Sequence, residues 1–246
     1  MTLSSNVLKW IAIVAMLIDH IAWLFVGTDN WLGQAMHFFG RFTAPTMCFF
    51  LVEGFYFTHS RTRYLLRLFV FAVISQLPFA YMQQQMQEDG MAWQALLATP
   101  AAWFEKGNVL FNLLFALLAL LAWQLPLKRL VRVSIIALLL LLSAWMDWGV
   151  YLIIFTLVLA AFREQRKAQI VAYLLAAMGL MLLTDAGVIL GMSTVVLHWF
   201  PFGMLAVPAL WYCYDGTRGK NWGGRYFFYI FYPAHMLLLS LIAQYW

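Results

Sequence analysis

From Val7 to Val26 the chain reads VLKWIAIVAMLIDHIAWLFV, an apolar run broken only by Lys9 and the Asp19-His20 pair. A helix of that length rises about 30 Å, enough to cross the hydrocarbon core of a bilayer. An acid and a histidine inside such a helix are expensive to place in lipid. They turn toward the protein interior, pair with other polar groups, and mark a site. Whatever fold the rest of the chain adopts has to give these two side chains partners.

Composition extends the argument to the whole chain. Of 246 residues 65% are hydrophobic and 10% charged, against roughly a quarter charged in soluble domains. Long apolar runs recur, divided by short charged clusters, and no polar segment is long enough to fold as a separate soluble domain. The expected fold class is all-α, a polytopic transmembrane helix bundle forming one domain over residues 1–246. Nine spans are expected, at 6–27, 42–59, 64–82, 108–125, 130–146, 148–162, 168–190, 194–213 and 226–245. No small-residue cleavage site follows the first span, so no cleavable signal peptide is expected.

Charge placement orients the bundle. Cations cluster at Arg61/Arg63/Arg67, Lys128/Arg129/Arg132, Arg163/Arg166/Lys167 and Arg218/Lys220/Arg225, with Lys9 near the start. With nine spans and a cytoplasmic N-terminus, every cluster falls on the inner face and only Arg41 and Lys106 remain outside. The outer loops then hold Asp29, Glu88, Asp89, Glu105, Asp147 and Asp185. The C-terminus is expected outside. Membrane orientation accounts for the net charge of +5 without nucleic acid as a partner. Cys48 and Cys213 lie on different spans, one mid-helix and one near the cytoplasmic end, and no disulfide is expected. No Cys or His spacing suits a metal.

Along the chain, Gly27 to Gly40 reads as a short outer loop, with Trp31 at the interface and His37 in water. Glu53 lies about 12 Å from the arginine cluster that follows it, a second buried carboxylate. Glu53 and Arg41 suit either helix pairing or a direct catalytic part. Ser75 and Gln76 read as polar contacts between helices. Residues 83–107 form the longest outer loop. Its apolar second half, with Pro100 inside, suits a short re-entrant or interfacial helix over an acceptor site. Asn108 and Asn112 share one helix face, as a polar lining or as caps. The spans from Leu113 to about Leu183 read as scaffold, and His198 as interfacial.

In the last span Pro233 removes one backbone hydrogen bond beside His235. His235 lies about 15 Å from Arg225 and His20 about 16 Å from Lys9 along helices that both start inside. Asp19, His20, Glu53 and His235 are therefore expected in one layer near the midplane. A histidine exchanges a proton near neutral pH, and a buried carboxylate holds its tautomer and stabilises the imidazolium. That equipment suits acyl transfer from a thioester to an amine or hydroxyl, and equally proton-coupled transport.

Five segments carry a resemblance. They are Ile18-Asp19-His20; Gly40-Arg41 through Pro45 to Glu53-Gly54-Phe55; Arg63-Tyr64-Leu65-Leu66-Arg67 through Ser75-Gln76-Leu77-Pro78-Phe79; Asn108-Val109-Leu110-Phe111; and Phe228 through Tyr232-Pro233-Ala234-His235. In this order, over nearly the whole chain, they resemble the TraX family, whose named member acetylates the N-terminus of a conjugative pilin. That family is similar to the wider group of transmembrane acyltransferases.

The resemblance implies acetyl-CoA as co-substrate, its phosphates met by Arg61, Arg63, Arg67 and Arg225, although positive-inside anchoring explains these arginines equally. It implies His20 as catalytic base, with Asp19 or Glu53 as its partner. His235, Arg41, Asn108, Asn112 and Tyr232 would then line the acceptor's place. The acceptor would be a pilin N-terminal amine or a glycan hydroxyl at the outer side, with membrane lipid around the bundle. Two other readings stand beside it: a proton-coupled transporter or flippase, for which no internal repeat is visible, and a non-catalytic pilus-assembly membrane protein.

Overall fold

The computed structural model describes residues 2–87, 90–189, 198–220 and 226–245. Apart from two isolated bridges, all regular structure among the described residues is helical. The elements are α1 (Ser5–Phe25), α2 (Trp31–Gly40), α3 (Thr43–Phe57), α4 (Arg61–Gln85), α5 (Trp93–Ala98), α6 (Val109–Gln124), α7 (Arg129–Ser143), α8 (Tyr151–Ala161), α9 (Arg166–Ile189), α10 (Gly203–Tyr212) and α11 (Phe227–Ala243). Short 3-10 turns stand at Pro100–Phe104 and Phe200–Phe202. Among the described residues three stretches are long and apolar enough to cross a membrane: α1, α4, and Arg166–Leu183 of α9. The eighth expected span, 194–213, is described only from His198 onward. Glu88, Asp89 and Arg225 lie outside the described residues, as does Leu190 at the end of the seventh span.

One expectation is overturned. Residues 27–40 are not a wet loop, because Trp31–Gly40 forms the helix α2. The turn into it is built by a glycine and an amide. Gly27, at φ +76°, ends α1 in the left-handed region that glycine enters without strain. Asn30 then serves both helices. Its Oδ1 accepts from the Gly33 N–H and its Nδ2 donates to the Val26 carbonyl, both at 2.8 Å. A side-chain oxygen satisfying an early helical N–H is what starts a helix of ten residues with two glycines in it.

The helices group into two compact units. The first comprises residues 1–49 and 158–222, and the second residues 50–157 and 223–246. In the first, α1 packs on α2, α2 on α10, and α10 on α9. The start of α1 is satisfied by main chain from far along the sequence. Ser5 and Asn6 donate their backbone N–H groups to the carbonyls of Thr217 and Arg218, at 2.9 and 3.2 Å. These orphan donors would otherwise need water or a side-chain cap.

In the second unit α4 packs against α6 and α11. Gln76 of α4 joins it to the segment before α6: its Nε2 donates to the carbonyls of Trp103 and Lys106, and its Oε1 accepts from the Asn108 N–H. Leu96 and Ala102 bury themselves against Tyr81 of α4. Neither cysteine forms a disulfide; Cys48 is buried and Cys213 half-buried. Much of α7 is bare apolar surface, with Leu130 77% and Leu141 65% exposed. Such a surface is stable only against lipid or another protein.

Candidate functional site

Three polar side chains converge in the first unit. Asp19 comes from α1, His37 from α2, and Arg41 from the residue that ends α2. His37 Nδ1 lies 2.8 Å from Asp19 Oδ1. Arg41 donates from Nη2 to both carboxylate oxygens, at 3.2 and 3.1 Å. An ionised carboxylate only accepts, so Nδ1 carries a proton, and in the neutral ring the lone pair is on Nε2. All three side chains are at least four-fifths buried, and His37 completely so. Breaking a buried ion pair by removing one partner costs about 3–5 kcal/mol, because the other charge stays buried. The Asp19 carboxylate is tolerated here because two donors meet it.

Helix spacing explains why α2 can supply the cluster. Gly33, Gln34, His37 and Gly40 are its buried residues, and at intervals of three and four they share one face. Gly40 lets that face close onto α1: a Cβ there would occupy the space of the Asp19 carboxyl group. On the other side, a Cβ at Gly203 of α10 would run into the Phe38 carbonyl oxygen. Helix packing without side chains at these two points brings the polar groups into contact.

Gln34 places the third wall. Its Nε2 donates to the Thr28 carbonyl at 2.7 Å and it bonds His198 Nδ1. Its Oε1 accepts from the backbone N–H groups of Trp199 and Phe200, each at 3.2 Å. The turn so held lays the Phe200 ring beside His37, at 5.4 Å between centroids, and 5.2 Å from the Arg41 guanidinium carbon. Trp23 covers the His37 ring from α1 at 4.4 Å. Within this box His37 Nε2 is buried and has no hydrogen-bond partner among the described residues. An imidazole nitrogen in that condition costs roughly 1–3 kcal/mol.

The expected site residues divide as follows. Asp19 and Arg41 meet, with His37 as the partner that sequence reading set aside as a loop residue. His20 follows Asp19 on α1 and is half-buried. Glu53, His235 and Tyr232 belong to the second unit. Glu53 is partly exposed. His235 Nδ1 donates to the Phe231 carbonyl at 2.7 Å, and its ring stacks on the Phe231 ring. Tyr232 is buried against the Val109 backbone.

Asn108 is a helix cap. Its Oδ1 accepts from the N–H groups of Leu110 and Phe111, and its Nδ2 donates to the Ala72 carbonyl and to Gln76. Asn112 donates to the Gly149 carbonyl, and its buried Oδ1 has no partner among the described residues. Arg61 lays its guanidinium over Phe55 at 4.2 Å, and Arg67 donates to the Tyr229 hydroxyl at 3.3 Å. Arg63 is exposed.

The signal for the missed residues was present. Asn30 ahead of Gly33, Gln34, His37 and Gly40 is a capped helix with a small and polar stripe. Its shortness and its two glycines concealed it.

Comparison with known proteins bears on this cluster. The model of the family described as TraX protein matches residues 4–243, a stretch that holds every residue of the cluster. A protein of Dichelobacter nodosus described as a probable fimbrial assembly protein, FimC of serogroup H1, is 45% identical over 232 residues, which is 94% of this chain and 92% of that protein. No solved structure matches. The match runs from the start of α1 to the end of α11, and the chain belongs to the TraX family.

Proposed function

We propose that this chain is an enzyme of the bacterial inner membrane that transfers an acetyl group from cytoplasmic acetyl-CoA to an acceptor amine or hydroxyl at the outer side. A pilin N-terminus is the first acceptor to consider. Family membership and the fimbrial-assembly description of the Dichelobacter relative support a pilus setting. The observation that carries the chemistry is the Asp19–His37 pair, an imidazole held through Nδ1 by a buried carboxylate and with its second nitrogen unengaged among the described residues. Acyl transfer to an amine or alcohol needs a group of that kind to remove the acceptor's proton as the new bond forms.

The wider proposal keeps nine crossings with the N-terminus inside. The arginine-rich clusters then lie in the cytoplasm. Arg61, Arg63, Arg67 and Arg225 are the proposed partners of the CoA phosphates, since guanidinium groups suit phosphate oxygens. Asp19 is the carboxylate that holds the proton-accepting histidine, and His20 and His37 are the histidines on its own helix pair.

A thermal melt of the detergent-purified protein tests the co-substrate. A ligand that binds only the folded state at 100 times its dissociation constant adds about 2.7 kcal/mol. Acetyl-CoA should raise the melting temperature and an adenine nucleotide lacking pantetheine should raise it less. No shift with either CoA or acetyl-CoA would favour a purely structural part in fimbrial assembly, the reading that the relative's description also fits.

A further inference from the structure

The carboxylate in α1 holds an imidazole of α2 by a direct hydrogen bond. His37 Nδ1 donates to Asp19 Oδ1 at 2.8 Å, so in the neutral ring the lone pair is on Nε2. Nε2 is completely buried and has no hydrogen-bond partner among the described residues. Buried side-chain nitrogens are almost always satisfied, and an exception calls for a reason. Trp23 and Phe200 flank the ring, so bulk water is kept from a nitrogen placed to accept a proton. Phe200 rides on the turn whose Trp199 and Phe200 N–H groups donate to Gln34 Oε1. His20, next to Asp19 on the same helix, projects about 100° away around the axis.

Resting on the acyl-transfer reading, we infer that His37, rather than His20, is the catalytic residue that takes the acceptor's proton. The acceptor's N–H or O–H donates to Nε2. As that proton moves, the acceptor's lone pair attacks the thioester carbonyl carbon. A C–N or C–O bond forms and the C–S bond breaks. The imidazolium, stabilised by Asp19, returns the proton to the departing sulfur. The products are an acetylated acceptor and free CoA thiol, with no oxidant or metal consumed.

The test uses the full chain in phospholipid vesicles, with acetyl-CoA and a synthetic peptide bearing a free N-terminal amine. In His37→Asn the amide N–H stands where Nδ1 stood and keeps the Asp19 bond, while Nε2 is removed. Rates are taken per folded molecule, counted by gel filtration, and His37→Gln is measured in parallel so that neither variant's folding decides the result. Both variants should lose about 10²- to 10⁴-fold in kcat, with KM within roughly threefold of wild type, as for a group acting only in the transition state. His20→Asn should stay within about tenfold of wild type in kcat. Full activity in His37→Asn, or a hundredfold loss confined to His20→Asn, overturns the assignment of His37 and leaves acyl transfer standing. A wild-type protein that acetylates neither the peptide nor a glycan hydroxyl supplied in its place overturns both.

Discussion

Asp19 of α1 and His37 of α2 meet at 2.8 Å, oxygen to nitrogen, across eighteen residues of sequence. The contact does two jobs at once. It gives a carboxylate in an apolar helix one of its two donors, and it fixes which imidazole nitrogen stays basic. Arg41 supplies the other donor from the end of the same short helix. A polar cluster of this kind specifies how α2 lies against α1, because sliding either helix would leave a charge without its partner.

Removing the charge should therefore disturb folding as well as chemistry. Asp19→Asn leaves Arg41 without its counter-ion, and the expected loss is about 3 kcal/mol of stability. Urea or thermal unfolding in detergent measures it. A stability equal to wild type would mean that the Arg41–Asp19 contact is not formed in the folded protein.

Arg41→Lys tests geometry apart from charge. The single Nη2 reaches both oxygens while the guanidinium plane faces Phe200 at 5.2 Å, and a lysine ammonium cannot reproduce a planar group. The variant should be less stable than wild type by about 1–2 kcal/mol, and more stable than Arg41→Ala. Equal melting of Arg41→Lys and Arg41→Ala would contradict this.

Two glycines make a matched pair. A methyl group at Gly40 would land on the Asp19 carboxyl, whereas one at Gly54 would come 3.1 Å from the Tyr64 hydroxyl, the far end of a side chain that can shift. Gly40→Ala should cost at least about 2 kcal/mol, as overpacking does in tight sites, and should abolish transfer. Gly54→Ala should change stability by less than about 1 kcal/mol. Melting temperatures and transfer rates of the two variants, compared directly, check the contrast.

Asn108→Ala should lower stability by about 1–2 kcal/mol through loss of a helix cap and of the bonds to Ala72 and Gln76. Hydrogen exchange at the start of α6 should rise more than exchange in α1. Uniform protection along both helices would show that the cap is not what holds α6 in place.

The sequence made some of this legible and hid the rest for physical reasons. The helix around Asp19 announces itself, because a twenty-residue run broken only by Lys9, Asp19 and His20 is long enough to cross a bilayer, and an acid within it needs a partner. Arg41 reads from the sequence as a residue for helix pairing or for a catalytic part. His37 does not, because Gly27, Asn30, Gly33 and Gly40 read one at a time as loop residues, while in space they are a stop, a cap and two close approaches. Gln34 was missed for a different reason. Its role depends on the backbone of Trp199 and Phe200, more than 160 residues away, and no local pattern encodes that distance. Asn108 and Gln76 were recognised as polar residues in apolar helices, but only the folded chain shows each one consumed by backbone groups.

The central claim is that a buried Asp19–His37 pair serves acetyl transfer. Its most direct measurement is mass spectrometry of a synthetic pilin-type N-terminal peptide after incubation with acetyl-CoA and the wild-type protein in vesicles. The account predicts one added acetyl group on the terminal amine, with a matching release of CoA thiol, and neither product with Asp19→Asn. Acetylation at the wild-type rate by Asp19→Asn, or no acetylated peptide with the wild-type protein, would contradict it.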